Sequence, residues 1–286
     1  MSEHYSASDY VANITNLVSL PEACQRVNEL IELPSTNAQI LAEAVSLDPA
    51  LAAMLLKVTN SAFFGFKQSI GTVSHAISII GKNELRSIVL SAGAVDAMAN
   101  LTTEFIEMSQ FWHHSILTGL LARSIAPYID CNKEELFIIG LLHDIGKLAI
   151  FHQSPDVARV IVEQSTNSEH WVQLENSLLG FSHSDIGFQL ARQWKLPKIF
   201  CECIMLHHSP LSFGESPMQH VVYIANELAS YLDNTPPNLT LEQLHTKLDI
   251  SLSGLSLEDL KQAIELANSQ SFEVMETIYP GSTAIY

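Results

Sequence analysis

Leu136-Phe137-Ile138-Ile139-Gly140-Leu141-Leu142-His143-Asp144-Ile145-Gly146-Lys147-Leu148-Ala149-Ile150 is among the most apolar stretches of the chain, yet a His and an Asp stand side by side in its middle. A run of this length and apolarity reads as a buried helix, and the spacing predicts one helix over Glu134–Phe151. Burying a charged group in such a run is costly unless the group is paired or ligated. Two explanations fit the pair. One is metal ligation; the other is a buried His hydrogen-bonded to the Asp or to a backbone carbonyl.

Outward from this stretch, helical periodicity continues in both directions and no strand alternation emerges, so the class is all-α. Asp48-Pro49 is a cap followed by Pro at the first helical position and opens a helix to about Asn60. Thr36-Asn37-Ala38-Gln39 has capping-box spacing. Helices are expected over Val73–Ile80 and Asn83–Met98, with Gly81 as the C′ residue between them. Phe63-Phe64-Gly65-Phe66 reads as a turn with aromatic anchors. Phe105–Ile125 is a long helix ended by Pro127 and the polar Asp130-Cys131-Asn132-Lys133, followed after the central stretch by helices from Pro155, Glu169, Ser182, Pro197 and Met218. Residues 209–217 read as a loop and 234–238 as a linker. Two short amphipathic helices, Leu241–Leu248 and Ser256–Gln270, finish the pattern. The expected organisation is a frayed segment 1–13, a helical subdomain 14–102, a larger helical domain 103–233 and an extension 234–286.

Composition narrows the function. Formal net charge is −17, from 14 basic and 31 acidic residues, and no Lys/Arg run occurs. Phosphate-backbone contacts need clustered basic side chains, so direct nucleic-acid binding is not expected. The same charge disfavours anionic membranes. No uncharged apolar run approaches the ~18 residues of a membrane span. The start lacks the pattern of a signal peptide. Four cysteines show no disulfide framework or C-x-x-C pair. A cytoplasmic protein with reduced thiols is the expectation.

The histidines supply the chemistry. His114, His143, Asp144, His183, His207 and His208 are separated by 29, 1, 39, 24 and 1 residues. Zinc-finger ligand pairs lie much closer in sequence, whereas helices of a bundle can each project one or two ligands inward. Imidazole and carboxylate together suit zinc, iron, manganese or nickel without choosing among them. One or two such ions could be held, with Asp144 as the bridging ligand because it has two oxygens. Lys147, four residues after His143, shares its helical face and could meet a phosphate or simply be solvated. His75, His113, His152, His170 and His220 are expected to be structural or surface residues.

With these residues in hand, a resemblance emerges. Trp112-His113-His114-Ser115 and Gly140-Leu141-Leu142-His143-Asp144-Ile145-Gly146-Lys147 resemble the HD superfamily of metal-dependent phosphohydrolases. The chain is more similar still to the HDOD family, the HD-related output domain. The shared motifs include Val58-Thr59-Asn60-Ser61-Ala62-Phe63-Phe64-Gly65, Ile70-Gly71-Thr72-Val73-Ser74-His75, Gln193-Trp194-Lys195-Leu196-Pro197 and His207-His208-Ser209-Pro210. The resemblance implies an HD-like helical domain preceded by a smaller helical subdomain, in a family associated with bacterial signalling. It also implies that His114, His143, Asp144, His183, His207 and His208 occupy metal positions. Where the phosphohydrolase pattern expects a closing Asp, this chain has Asn226, a degenerate metal position. The loop after His208 lacks the Gly-Tyr-Pro signature.

Two functions follow as expectations. The first is a regulatory module whose partner is a signalling protein. The second is a metal-dependent phosphohydrolase acting on a nucleotide or other phosphorylated small molecule, with Asp144 and Lys147 as catalytic groups. On the first, deleting residues 1–100 should abolish output and leave a metal-binding remainder.

Overall fold

A computed structural model of the chain describes residues 6–14, 18–61, 64, 66, 68–99, 101, 105–209, 216–233, 240–248, 250 and 254–279. Among these residues the secondary structure is helical, with no strand. The helices are α1 (Ala7–Ile14), α2 (Glu22–Glu32), α3 (Ala38–Ser46), α4 (Pro49–Thr59), α5 (Val73–Met98), α6 (Met108–Ile129), α7 (Lys133–Leu142) and α8 (Ile145–Gln153). They continue with α9 (Pro155–Gln164), α10 (Ser168–Leu179), α11 (His183–Gln193), α12 (Lys198–Leu206), α13 (Pro217–Asp233), α14 (Leu241–Lys247) and α15 (Leu257–Ile278).

Two apolar cores result. The smaller is built by α2, α3, α4 and the first half of α5, from side chains such as Val27, Leu41, Val45, Leu55 and Leu85. The larger surrounds α6, α7 and α8 and takes in α11, α12, α13 and α15. α5 belongs to both. It kinks at Gly81, whose φ of 84° is a left-handed value that glycine adopts without a Cβ penalty. Leu90, Ala94 and Met98, beyond the kink, then enter the larger core.

Local signals set several helix starts. The Asp48 carboxylate accepts from the Ala50 and Leu51 amides. Ser182 and Asp185 form a reciprocal capping box at α11. At α3 the cap is Asn37, which accepts from the Ile40 amide, and not Thr36 as the spacing suggested.

Other expectations are corrected by packing. Residues 7–13, expected to fray, lie in a helix whose Tyr10, Val11 and Ile14 are buried against the larger core. Tyr10 Oη donates to Ser154 Oγ at 2.8 Å, and Trp194 Nε1 donates to the Val18 carbonyl at 2.8 Å. Of the residues expected to end α6, Pro127 lies inside the helix, which runs on to Ile129, and left-handed Asp130 is where it stops. The last helix is longer than expected because its C-terminal turns have a surface to lie on. Lys57 Nζ donates to the Glu276 carbonyl, and Tyr279 stands beside Trp112. Of the expected turn at 63–66 only Phe64 and Phe66, stacked at 5.7 Å, are described. Residues 210–215 and the expected linker 234–238 lie outside the described residues.

The correction that matters most concerns the central stretch. The expected single helix over Glu134–Phe151 is two, α7 and α8, parted at His143-Asp144. α7 itself lies against α6 at very short range: a Cβ built on Gly140 would stand 2.6 Å from Gly119 Cα. That crossing brings the end of α7 beside the face of α6 that carries His114.

A convergent histidine and carboxylate cluster

The break between α7 and α8 creates the site. Asp144 occupies the N-cap position of α8 with φ −99° and ψ 3°, yet its side chain caps nothing. An N-cap Asp ordinarily spends its carboxylate on the first-turn amides. Here the carboxylate turns to the histidines instead. The orphan carbonyls at helix C-termini orient two of them. His143, ending α7, places Nδ1 2.6 Å from the Gly140 carbonyl; His207, ending α12, places Nδ1 2.6 Å from the Ile204 carbonyl. Each carbonyl accepts an Nδ1–H, so each ring presents its Nε2 lone pair to the interior.

Carboxylates orient two more. His183 Nδ1 lies 2.6 Å from Glu175 Oε2, and His114 Nδ1 lies 2.8 Å from Asp233 Oδ2. His183 is the first residue of α11, and Glu175 sits on α10. The four rings therefore share one logic: Nδ1 outward to an acceptor, Nε2 inward.

Asp144 divides the cluster between its two oxygens. Oδ1 lies 3.2 Å from His183 Nε2 and 3.5 Å from His207 Nε2. His183 Nε2 is in turn 3.3 Å from His207 Nε2 and 3.0 Å from His208 Nε2. Oδ2 faces His143 Nε2 at 3.4 Å, His114 Nε2 at 3.8 Å and Lys147 Nζ at 2.6 Å. Asn226, on α13, places Oδ1 3.1 Å from His114 Nε2.

These separations test whether the residues fit a divalent cation. Bonds of about 2.1 Å to a common centre hold neighbouring donors about 3.0–3.4 Å apart, the octahedral and tetrahedral limits. The donors on the Oδ1 side, Asp144, His183, His207 and His208, lie within that range of their neighbours or close to it. Asp144 Oδ1 on this side, like His143 Nε2 on the other, is buried without a well-formed hydrogen bond, as a lone pair directed at a cation would be. The Oδ1 set fits a transition-metal ion. The Oδ2 set of His114, His143 and Asp144 is looser, and the Lys147 ammonium already pairs with its carboxylate oxygen.

Electrostatics agree. Burial holds His143 and His208 below the usual imidazole range and brings His207 down to about 3, so all three stay neutral and keep a lone pair. Burial also disfavours the charged form of His183, but Glu175 and Asp144 outweigh it and raise that ring. Burial opposes ionisation of Asp144, but the Lys147 ammonium beside it holds its carboxyl well below the ordinary range.

All six expected ligands, together with Lys147 and Asn226, converge. Of the histidines set aside, His113 is half-buried and shares Asp233 with its neighbour, at 3.1 Å. His75 is exposed on α5. Sequence reading missed Glu175 and Asp233. Asp233 follows Asn226 by seven residues, two turns along one face of α13, and that periodicity was available. Glu175 had no such signal, because a lone Glu in an amphipathic helix reads as a solvated residue.

Comparison with known proteins agrees with this geometry. The HDOD domain family matches residues 17–210. A crystal structure from Shewanella amazonensis, provisionally named a phosphohydrolase, superposes with a TM-score of 0.78 at 25% identity, covering 96% of this chain and 99% of that one. An HDOD domain protein of unknown function from Geobacter sulfurreducens superposes with a TM-score of 0.75 at 21% identity, covering 95% and 97%. An uncharacterized protein of Treponema pallidum is 26% identical over 276 residues, 95% of this chain; the chain spans 52% of that relative's length. With helix order, the His-Asp junction and the family match in agreement, the chain belongs to the HDOD domain family.

Proposed function

We propose that this chain is a metal-loaded regulatory module of bacterial signalling, in which the HD-type centre organises helices for a protein partner and does not turn over substrate. The observation that carries this reading is the asymmetry at Asp144. Its Oδ1 side gathers three imidazoles into cation-sized spacing, while its Oδ2 side is paired to Lys147 and closed by the neutral carboxamide of Asn226. A two-ion centre would need that second side free and more negative. The metal class is a divalent transition ion, zinc, iron, manganese or nickel, held by His183, His207, His208 and Asp144.

The test is elemental analysis of the purified full chain, with His207→Ala as control, together with a phosphoesterase assay on bis(p-nitrophenyl) phosphate with added manganese. One equivalent of metal in the parent, its loss in the variant and no turnover in either are expected. Turnover that disappears in Asp144→Ala would overturn the regulatory reading.

A phosphohydrolase is the second reading, favoured by Lys147. Its ammonium is 2.6 Å from Asp144 and its side chain is 20% exposed, so it can reach a phosphate entering from solvent. The chemistry a divalent cation supplies at such a centre is Lewis-acid polarisation of a phosphoryl oxygen. Asp144 would then hold a proton or a ligand position, and Lys147 would neutralise phosphate charge.

A further inference from the structure

α10 is anchored in an unusual way. Only one of its twelve residues is buried, and that residue is Glu175, 1% exposed. Trp171, Leu174 and Leu179 pack half-buried against the larger core, but the one fully buried side chain of the helix is a carboxylate, which needs partners. Glu175 Oε2 accepts from the His183 backbone amide at 2.8 Å and faces His183 Nδ1 at 2.6 Å. Its Oε1 accepts from Trp171 Nε1 at 2.7 Å. Trp171 stands edge-on to Phe151 and lies beneath the Lys147 ammonium, 5.2 Å from the ring centre. The polar anchorage of α10 thus ends on His183 and Lys147, the residues nearest Asp144.

We propose that Glu175 is a positioning residue of the metal centre, holding the His183 ring with Nε2 inward and coupling the docking of α10 to metal binding. The inference rests on the metal-site reading above. Three physical arguments support it. Both Glu175 oxygens are committed, so the carboxylate cannot rotate away from His183. A carboxylate on Nδ1–H makes the far nitrogen a stronger donor to a cation. Charge also balances: Asp144, Glu175 and Asp233 against Lys147 leave two negative charges around the cluster, matched by a divalent ion. Metal withdrawing electron density from Nε2 strengthens the Nδ1–H to Glu175 bond, so loading should tighten α10.

The test uses the full-length metal-free protein titrated with Co2+, read by calorimetry and by the visible absorption of bound cobalt, with amide exchange in α10 followed before and after loading. Glu175→Gln keeps the size of the side chain but cannot accept at both ends. Its Co2+ affinity should fall about 10–100-fold, with an altered cobalt spectrum and no added protection of α10 on loading. Glu175→Asp, which keeps the charge but retracts it by one methylene, should fall between parent and Gln, and decides the matter if the Gln variant does not fold. Trp171→Phe, which frees Glu175 Oε1 and leaves Oε2 on His183, should lower Co2+ affinity by less than Glu175→Gln does. A purely scaffolding Glu175 predicts lower melting temperature with parental affinity and spectrum, and that result overturns the inference alone. A parent chain that binds no Co2+ overturns the metal-site reading and the inference with it.

Discussion

Gly146→Ala should disable the metal centre without touching a donor atom. Gly146 lies in the first turn of α8, where α11 crosses it. A Cβ at this position would stand 2.0 Å from the His183 carbonyl oxygen and 2.9 Å from the Gly187 nitrogen. Ordinary carbon–oxygen contact begins at about 3.3 Å, so the two helices must part by roughly 1.3 Å. The obstacle is backbone, which cannot rotate aside as a side-chain tip can. His183 rides on α11 and Asp144 stands at the start of α8, so their 3.2 Å donor separation would widen towards about 4.5 Å. Two donors bonded at about 2.1 Å to one ion can be no more than about 4.2 Å apart. The shared site is therefore lost, and overpacking should cost about 1–3 kcal/mol of stability. Co2+ titration and urea unfolding measure the two effects, with Gly71→Ala as control because a Cβ there meets nothing within 4 Å. Parental Co2+ affinity in folded Gly146→Ala would refute the argument, since the crossing would then relax without moving the donors.

Three further outcomes are expected. Burial, with Glu134 beside it, raises the Glu84 carboxyl to about 9. The native chain thus keeps a proton that the unfolded chain releases near the ordinary carboxylate range, and stability falls as pH rises from about 4.5 towards 9. Glu84→Gln removes that titration, so its advantage over the parent in urea midpoint should grow from pH 5 to pH 8; a constant difference would show that Glu84 does not titrate in this window. Asn226→Asp adds a carboxylate next to His114 Nε2, now 3.1 Å from the amide oxygen, and should raise metal affinity about tenfold, roughly 1.4 kcal/mol, or add a second equivalent by elemental analysis; unchanged stoichiometry and affinity would mean that Lys147 still closes the Oδ2 side. Removing residues 1–100 should not leave an intact metal-binding remainder, because Tyr10, Ile14, Val18, Leu20, Leu90 and Met98 belong to the larger core; dye binding and loss of a cooperative melt are expected, and a cooperative melt of the fragment would contradict this.

Most of the fold was legible because helix signals are local. Asp48-Pro49 and Ser182 announced helix starts, and Asp48 and Ser182 act as the caps. Errors came where tertiary packing overrode local signals. Pro127 sits inside α6 because the helix lies along a long apolar surface and continues past it. Residues 7–13 look polar enough to fray, but Tyr10, Val11 and Ile14 face one groove of the larger core. The apolar stretch looked like one helix because composition carries no sign of a break, and the junction at His143-Asp144 is where helical geometry gives way to the cluster.

The amino-acid order by itself determined the all-helical class and the six convergent residues, since hydrophobic period and the placing of His and Asp in apolar surroundings are properties of neighbours along the chain. Only the tertiary structure decided what each of those residues faces. Donors 29 and 39 residues apart meet through helix crossings at Gly119–Gly140 and Gly146–His183, and no local spacing encodes a crossing angle. The same holds for the split of Asp144 between its two oxygens, the Lys147 ammonium on one of them, and Glu175 behind His183. Each depends on side chains arriving from different helices at distances of a few ångströms, where packing sets the chemistry.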